Sequence, residues 1–396
     1  MGIKDWVVLA GLDANDLVWR NTDLWNYGNA NAAFGEQMGP DHVTQLDGER
    51  HKNRRAHLKP AFRMESIVRS VGKMDQVVAE QFSRVAERTF DLTEFLAEMI
   101  IRISGKTTLQ CELSDEMIAK MDRWEREFLF GVGMGWQRHV YYRRPSYRRL
   151  KREVFDEFER ILDTRIETHE PPPDDNLTAI IRANAEAGGE RLRRWDLIND
   201  IYLTLLAGVH NTTNLLYWCL VYLSTHPQWL SQLQDEVQNW DGSKFRSMNQ
   251  WPKLKATIQE VQRLRPGVII HRLTAARPFE FQGYRIPAGT SILHANSLAH
   301  FLEEIYENPF EFKPDRFLEG KSYPAKASGF FGGGTHICLG MNLAMVHTPL
   351  ILANLVRDYD FKFAFDPSFV VRMATGSNQV RKNVPCTLSP SGGRPR

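Results

Sequence analysis

The chain is poor in cysteine, and its charges of opposite sign nearly cancel. Its 396 residues include only four cysteines and carry a formal net charge of +2, from 50 basic and 48 acidic residues. No two cysteines stand in the C-x-x-C spacing of a zinc or redox site, and nothing suggests a disulfide framework. Balanced charge gives no case for nucleic acid as a partner. We therefore expect free thiols, a cytoplasmic location and no nucleic-acid partner.

The sequence also lacks a signal peptide and a clear membrane span. Its start, MGIKDWVVLAGLDAND, does not have the basic–apolar–small order of a secretory signal. The longest apolar stretch, residues 201–223, carries the polar run His210-Asn211-Thr212-Thr213-Asn214 at its centre. Polar groups at that depth are costly in lipid. The stretch therefore predicts a helix buried in a large protein, and no transmembrane segment.

The spacing of apolar residues predicts a mainly α protein with a small β region. Residues 60–170 repeat apolar positions every three or four residues, and prolines 171–173 end that pattern. Asp196 is the expected N-cap of one long helix that stops near His226, before Pro227, after roughly 45 Å. From Val268 the chain changes to short β-rich runs separated by turn signals. We predict one large domain over residues 1–388 and a disordered tail over 389–396.

One cysteine stands in a glycine-rich loop that precedes a helical pattern. The stretch FFGGGTHICLG has the form F-x-x-G-x-H-x-C-x-G, and its five defining residues are Phe331, Gly334, His336, Cys338 and Gly340. Glycines let backbone approach a flat ligand closely or adopt positive φ. The start of a helix favours negative charge and lowers the pKa of a thiol there. Such a thiolate could hold an iron, although a core cysteine beside a glycine turn would show a similar local pattern.

Two further motifs precede the loop in a fixed order. EVQR places Glu260 and Arg263 one helical turn apart, so that their side chains share a face. FKPDRF then offers Arg316 as a second guanidinium for the same carboxylate. A lone E-x-x-R is more often a solvated helix pair. The succession of the two motifs and the cysteine loop favours a buried structural trio instead.

Together these motifs resemble the cytochrome P-450 superfamily of haem-thiolate monooxygenases, of the soluble bacterial type, over roughly residues 7 to 388. The resemblance implies one mainly α domain with that family's fold, a haem b cofactor, and Cys338 as the ligand of its iron. It implies that Glu260, Arg263 and Arg316 support the haem site without doing chemistry. It also implies that the propionates are bound by four basic residues, His51, Arg55, Arg272 and His336. The remaining cofactor contacts it implies are Ala207, Gly208, Phe331, Gly334, Gly340 and Ala344.

The resemblance breaks down in the middle of the long apolar helix. The family reads A-G-x-acid-Thr-Thr there, whereas this chain reads AGVHNTT. Ala207 and Gly208 match, but His210 replaces the acid and Asn211 the first threonine, while Thr212 keeps the second. Histidine can shuttle protons near neutral pH, whereas an amide cannot relay them as a hydroxyl does. We expect His210, Asn211 and Thr212 to form the catalytic set, by an altered proton route.

The resemblance also carries expectations about the substrate and the start of the chain. It places Val268, Ile269 and Ile270 at a lipophilic substrate, with Phe34, Met38 and residues 375–378 as weaker candidates; ordinary core packing is the alternative for each. It implies electrons from a separate ferredoxin and ferredoxin reductase, and a monomer. The chain begins later than relatives usually do, inside their first sheet.

Three functions remain open at this point. The first is a monooxygenase that hydroxylates or epoxidises a lipophilic small molecule, with O2, in secondary metabolism. The second is a haem-thiolate peroxygenase, isomerase or dehydratase without a reductase, because the acid–threonine pair is missing. The third is a haem sensor without turnover.

Overall fold

The computed structural model describes residues 6–167, 173–186, 192–318, 323–364, 366, 371–374, 377–380 and 383–391. Within that part of the chain the α-helices, in order, are α1 (Leu12–Arg20), α2 (Tyr27–Ala30), α3 (Ala32–Met38), α4 (Gly48–Leu58), α5 (Met64–Val68), α6 (Val71–Val85), α7 (Leu92–Thr108), α8 (Asp115–Val132), α9 (Arg138–Tyr141), α10 (Pro145–Glu167), α11 (Asn176–Glu186), α12 (Arg194–Leu205), α13 (Val209–Thr225), α14 (Pro227–Val237), α15 (Pro252–Leu264) and α16 (Met341–Asp358). The protein is mainly helical, as the sequence predicted.

Among the described residues, the strands are short and form four small sheets. They are β1 (Trp6–Ala10), β2 (Trp25–Asn26), β3 (Thr89–Asp91), β4 (His271–Ala275), β5 (Phe279–Phe281), β6 (Tyr284–Ile286), β7 (Ser291–Ala295), β8 (Tyr359–Phe363), β9 (Val371–Ala374), β10 (Ser377–Val380) and β11 (Pro385–Pro390). The largest sheet has the order β1-β7-β4-β2, with β1 parallel to β7 and the other neighbours antiparallel. The others have the orders β3-β11-β8, β5-β6 and β10-β9.

Two corrections to the sequence predictions concern helix and tail boundaries. The expected single long helix is two helices, α12 and α13, separated by a turn at Leu206–Gly208. Asp196 is not the N-cap of α12 but lies in its first turn, where Oδ2 accepts a 2.9 Å hydrogen bond from the Arg193 backbone N–H. At the other end of the chain, β11 includes Ser389 and Pro390, which were expected to be disordered. Residues 392–396 of that expected tail lie outside the described residues.

The packing forms two hydrophobic cores. The large core joins helices α3 to α16, and a smaller one packs α1 against the four-stranded sheet around Leu9, Val18, Trp25 and Ile292. The cysteine loop lies where α1 of the small core meets the start of α16 of the large core. In the described part of the chain, every helix is too short or too polar to cross a bilayer.

Candidate haem site

The cysteine loop is a tight backbone structure that ends at a helix. The Cys338 N–H donates a 2.9 Å hydrogen bond to the Phe331 carbonyl, which closes the loop. Gly332 and Gly334 have φ of 75° and 65°, a region that side chains with a Cβ adopt only under strain. Helix α16 begins at Met341. The sequence therefore placed Cys338 correctly, just ahead of a helix.

The Cys338 thiol opens into a recess inside the protein. Its side chain is exposed, yet burial raises its pKa, which the Gly340 backbone N–H and the Arg55 charge only partly counteract. An exposed atom that is nevertheless enclosed by protein lines a cleft. The thiol pKa is thus raised, not lowered as the sequence suggested, because burial outweighs the helix terminus. A coordinated cation would still deprotonate the thiol.

Trp19 of α1 packs directly against the glycines of the loop. A Cβ added to Gly333 would lie 2.3 Å from its indole ring, and one added to Gly334 would lie 2.3 Å from its carbonyl oxygen. A Cβ on Gly329 would also meet the ring at 2.3 Å. These glycines are needed for close approach to Trp19, a contact that no sequence motif indicated.

Arg55, His51 and His336 meet on one side of the loop. Arg55 Nη1 donates a 2.7 Å hydrogen bond to the Ile337 carbonyl. The His336 ring is sandwiched, with its centroid 3.5 Å from that of Tyr27 and 3.8 Å from that of His51. Burial, with the charge of Arg55, lowers the pKa of His51 to about 4. These are neutral imidazoles beside a cation, which suits the binding of carboxylates.

The break between α12 and α13 exposes one short stretch of an otherwise buried helix. Ala207, Gly208 and Asn211 are exposed, whereas Leu206 and Val209 are fully buried. No atom lies within 4 Å of a Cβ added to Gly208. Of the expected catalytic set only Asn211 opens to this space. His210 and Thr212 are buried, with 8% and 6% of their surface exposed, and their catalytic role stays a prediction.

The segment between α15 and β4 connects this opening to the cysteine loop. A Cβ on Gly267 would lie 3.0 Å from Asn211 Oδ1, and one on Gly332 would lie 3.6 Å from His271 Cε1. Residues 267–271 therefore run from α13 to the loop. Arg272 follows on β4, half-buried, opposite Leu293 of β7.

The predicted substrate residues separate into two groups. Val268 is 38% exposed, and Ile269, Ile270 and Phe34 are half-buried, so all four retain accessible apolar surface. Met38 is fully buried in the large core and has no accessible surface in this structure. Its backbone is held by Trp195 and Asn199, which donate to its carbonyl. Residues 375–376 lie outside the described residues, and only backbone is described for 377–378.

The structure brings Glu260, Arg263 and Arg316 together in a buried trio. Arg263 binds both carboxylate oxygens of Glu260 at 2.8 Å, and Arg316 Nε lies 3.2 Å from Oε1. Their side chains are 0–4% exposed. Arg263 Nη1 also donates to the carbonyls of His300 and Pro309. The trio therefore joins α15 to the segment that leads to the cysteine loop.

A separate cavity of about 360 Å³ lies on the flank of the loop, between α15 and α16. Phe331, Ala344 and Met345 line it, together with Ile258 and Gln259. Neither Cys338 nor any residue of α13 is among its described lining residues. Phe331 and Ala344 thus border this space, which is distinct from the recess of the thiol.

These features fit a haem. The enclosed but accessible Cys338 thiol suits an iron ligand. The open space beside Gly208, which has no Cβ, suits a flat ring. The Arg55 cation and the neutral histidines beside the loop suit two carboxylates. The donors present are of the type that this cofactor requires.

Comparisons with known proteins agree with that chemistry. Cytochrome P-450 135B1 of Mycobacterium tuberculosis is 26% identical over 349 residues, 85% of this chain and 72% of the relative. Human steroid 21-hydroxylase is 33% identical over 235 residues, 54% of this chain and 46% of the enzyme. A retinoic acid-bound cyanobacterial cytochrome P-450 superposes with a TM-score of 0.84 at 22% identity, covering 97% of this chain and 89% of its own. The last likeness is one of fold.

The family model named Cytochrome P-450 matches residues 1–376, from the first strand through the cysteine loop and the whole of α16. The protein that places Cys338 in this loop is a haem b-dependent monooxygenase, and its chain belongs to the cytochrome P-450 family.

Proposed function

We propose that this monooxygenase hydroxylates or epoxidises a lipophilic small molecule, using O2 and electrons from a separate ferredoxin and ferredoxin reductase, as a cytoplasmic monomer. The observation that carries the proposal is the accessible Cys338 thiol of the glycine loop, with residues 267–271 running from Asn211 of α13 to that loop.

Each type of haem contact that the family resemblance implies has a candidate residue in this chain. Cys338 would bind the iron as a thiolate. Arg55 would neutralise a propionate, with His51, His336 and Arg272 as further contacts. Bound haem supplies the iron centre at which dioxygen is activated. The protein residues supply the ligand, the neutralising charges and the exclusion of bulk water.

The substrate surface is apolar with one polar group. Val268 presents accessible aliphatic surface, and Asn211 offers an amide that can both donate and accept hydrogen bonds. A few polar groups in an apolar lining are typical of small-molecule sites. One relative acts on steroids and one structural neighbour binds retinoic acid. Progesterone and retinoic acid are therefore suitable first probes.

The first experiment tests the iron ligand. The reduced, haem-loaded protein should give a carbon monoxide difference spectrum with the red-shifted band of a thiolate ligand. Cys338→Ala should abolish this band, whereas Cys111→Ala, which changes a half-buried thiol elsewhere, should leave it intact. A normal thiolate band in Cys338→Ala would refute the assignment.

The second experiment tests the source of oxygen and electrons. Purified protein, a ferredoxin, its reductase and NADPH should consume O2 and convert progesterone or retinoic acid to a product one oxygen heavier. Omitting the reductase should stop the reaction. Efficient conversion with hydrogen peroxide and none with the reductase would instead support the peroxygenase alternative, and redox-neutral conversion would support an isomerase or dehydratase.

A further inference from the structure

The histidine that replaces the family's acid faces a carboxylate on another helix. His210 of α13 lies with Nε2 4.0 Å from Oδ1 of Asp122 on α8. Both side chains are buried, 9% and 1% exposed. At 4.0 Å two opposite charges attract strongly in a buried site, although the distance is too long for a hydrogen bond. His210 also directly precedes Asn211, which opens to the haem recess.

Arg126 holds Asp122 in place and leads toward the surface. Its Nε donates to Oδ1 and to Oδ2 of Asp122, both at 2.9 Å. A buried carboxylate that is paired in this way with a guanidinium is fixed in position. The Arg126 side chain is 20% exposed. Arg126, Asp122 and His210 therefore follow one another from the surface into the protein, with a 4.0 Å gap between Asp122 and His210.

The second carboxyl group on this face of α8 behaves differently. Glu125 is fully buried, and its Oε2 has no hydrogen-bond partner among the described residues. Burial, and then the charge of Asp122, raise its pKa well above the usual value, while Arg126 acts in the opposite direction. Burial therefore disfavours the charged form of Glu125. Asp122 remains as the anion of this face that meets the imidazole.

We propose that Asp122 is a positioning residue that holds His210 as the proton donor to the haem recess. This inference rests on the proposed function. The carboxylate absent from the AGVHNTT segment is supplied by α8 across the helix contact. The Asp122 carboxylate, held by Arg126, faces the His210 ring and favours its imidazolium form. The imidazolium gives one proton to water in the recess, becomes neutral, and regains a proton from solvent water.

The pair explains how the departure from the family pattern can still deliver protons. An acid on α13 would carry its own exchangeable proton. His210 needs an anion to favour its charged form inside the protein, since burial alone favours the neutral imidazole. Asp122 supplies that anion, and Arg126 prevents it from being an unpaired buried charge.

The central experiment compares two ways of driving the same haem-loaded enzyme. The O2-driven assay contains ferredoxin, reductase, NADPH and progesterone or retinoic acid. In it, Asp122→Asn and His210→Gln should each lower product formed per O2 consumed by about a hundredfold, the low end of the effect of losing a proton-transfer group. Released hydrogen peroxide should rise to match. When hydrogen peroxide is supplied instead, product formation should be unchanged, because peroxide brings its own protons.

A control variant and the His210 variant together separate a positioning role from general damage. Glu116→Gln, at the exposed start of α8, should match the wild type in both assays. His210→Gln leaves the Asp122–Arg126 pair intact, so it remains informative if Asp122→Asn folds poorly. Equal losses in the O2-driven and peroxide-driven reactions would indicate a purely structural role and overturn the inference.

Thermal unfolding provides a readout that does not depend on turnover. If Asp122 and His210 interact, the unfolding shifts of Asp122→Asn and His210→Gln should not add up in the double variant. Additive shifts would overturn the pairing. If the wild type forms no product either with O2 and the reductase or with hydrogen peroxide, the proposed function and this inference both fail. A working wild type whose variants equal it would overturn this inference alone.

Discussion

Arg55 donates a 2.7 Å hydrogen bond to the carbonyl oxygen of Ile337, the residue directly before Cys338. Helix α4 is thereby joined to the cysteine loop by a charged group. Burial lowers the pKa of Arg55, and the neighbouring thiol acts in the opposite direction. One side chain thus fixes the backbone of the loop and brings positive charge next to the sulfur.

Replacing Arg55 should weaken haem retention more than it weakens the fold. A hydrogen bond that involves a charged group contributes about 1.5–3 kcal/mol, so Arg55→Ala should reduce haem affinity by about tenfold or more. The measurement is haem transfer to an acceptor protein, followed by Soret absorbance. Arg50→Ala, which removes an exposed arginine of the same helix, should transfer haem at the wild-type rate. Equal rates in both variants would contradict the role of Arg55.

Removing the charge of Glu260 should destabilise the whole protein. Glu260→Gln leaves the guanidinium groups of Arg263 and Arg316 buried without an anion. Breaking a buried ion pair in this way costs about 3–5 kcal/mol. Urea unfolding followed by tryptophan fluorescence should show the loss. Glu49→Gln, from an exposed pair with Lys52, should change stability by less than about 1 kcal/mol; a similar effect in both would contradict a special role for the trio.

The loop glycines should differ in their tolerance of alanine. Gly334→Ala combines positive φ with a Cβ 2.3 Å from the Trp19 carbonyl oxygen, whereas Gly289→Ala has a φ of 80° but open space around its Cβ. Gly289→Ala should cost only the backbone strain, about 1–3 kcal/mol. Gly334→Ala should additionally displace α1 from the loop and lower haem content per protein. Pyridine haemochrome assays on the two variants make this comparison, and equal haem contents would show that the Trp19 contact is unimportant.

Motifs that act through local chemistry were predictable from the sequence. The E-x-x-R spacing identified Glu260 and Arg263 because helical geometry fixes which residues share a face. The cysteine loop identified Cys338 for a similar reason, since its glycines and the following helix are close in sequence. These residues could be identified without knowing which distant segments of the chain are in contact.

Contacts between distant segments were not predictable in this way. Trp19 reaches Gly333 across more than 300 positions of the sequence, and nothing in α1 marks it. The orientation of His210 depended on the break at Leu206–Gly208, where the pattern of apolar residues favoured a continuous helix. Met38 was assigned by its position relative to the family, but three-dimensional packing encloses it. Asp122 became significant only when α8 was placed beside α13.

Several buried histidines should make the protein sensitive to mild acid. Burial lowers the pKa of His294 to about 3 and the pKa values of His300 and His347 to about 4. In the unfolded chain these groups take up protons below pH 6.5, so their contribution to stability is complete above pH 6.5 and is lost as the pH falls toward 4. Each of these histidines lowers the free energy of unfolding by up to about 1.4 kcal/mol per pH unit in that range. Asp200, whose pKa burial raises to about 6, acts in the opposite direction between its unfolded value and pH 6.

The histidine effect should therefore dominate between pH 7 and pH 5. Urea unfolding midpoints should fall steadily over that interval. His347→Gln should flatten the decline, because glutamine has no proton to gain there, although it also changes packing in α16. His139→Gln replaces a half-exposed histidine and should leave the slope as it is. A wild-type midpoint that stays constant from pH 7 to pH 5 would contradict the assignment of these imidazoles as neutral in the folded protein.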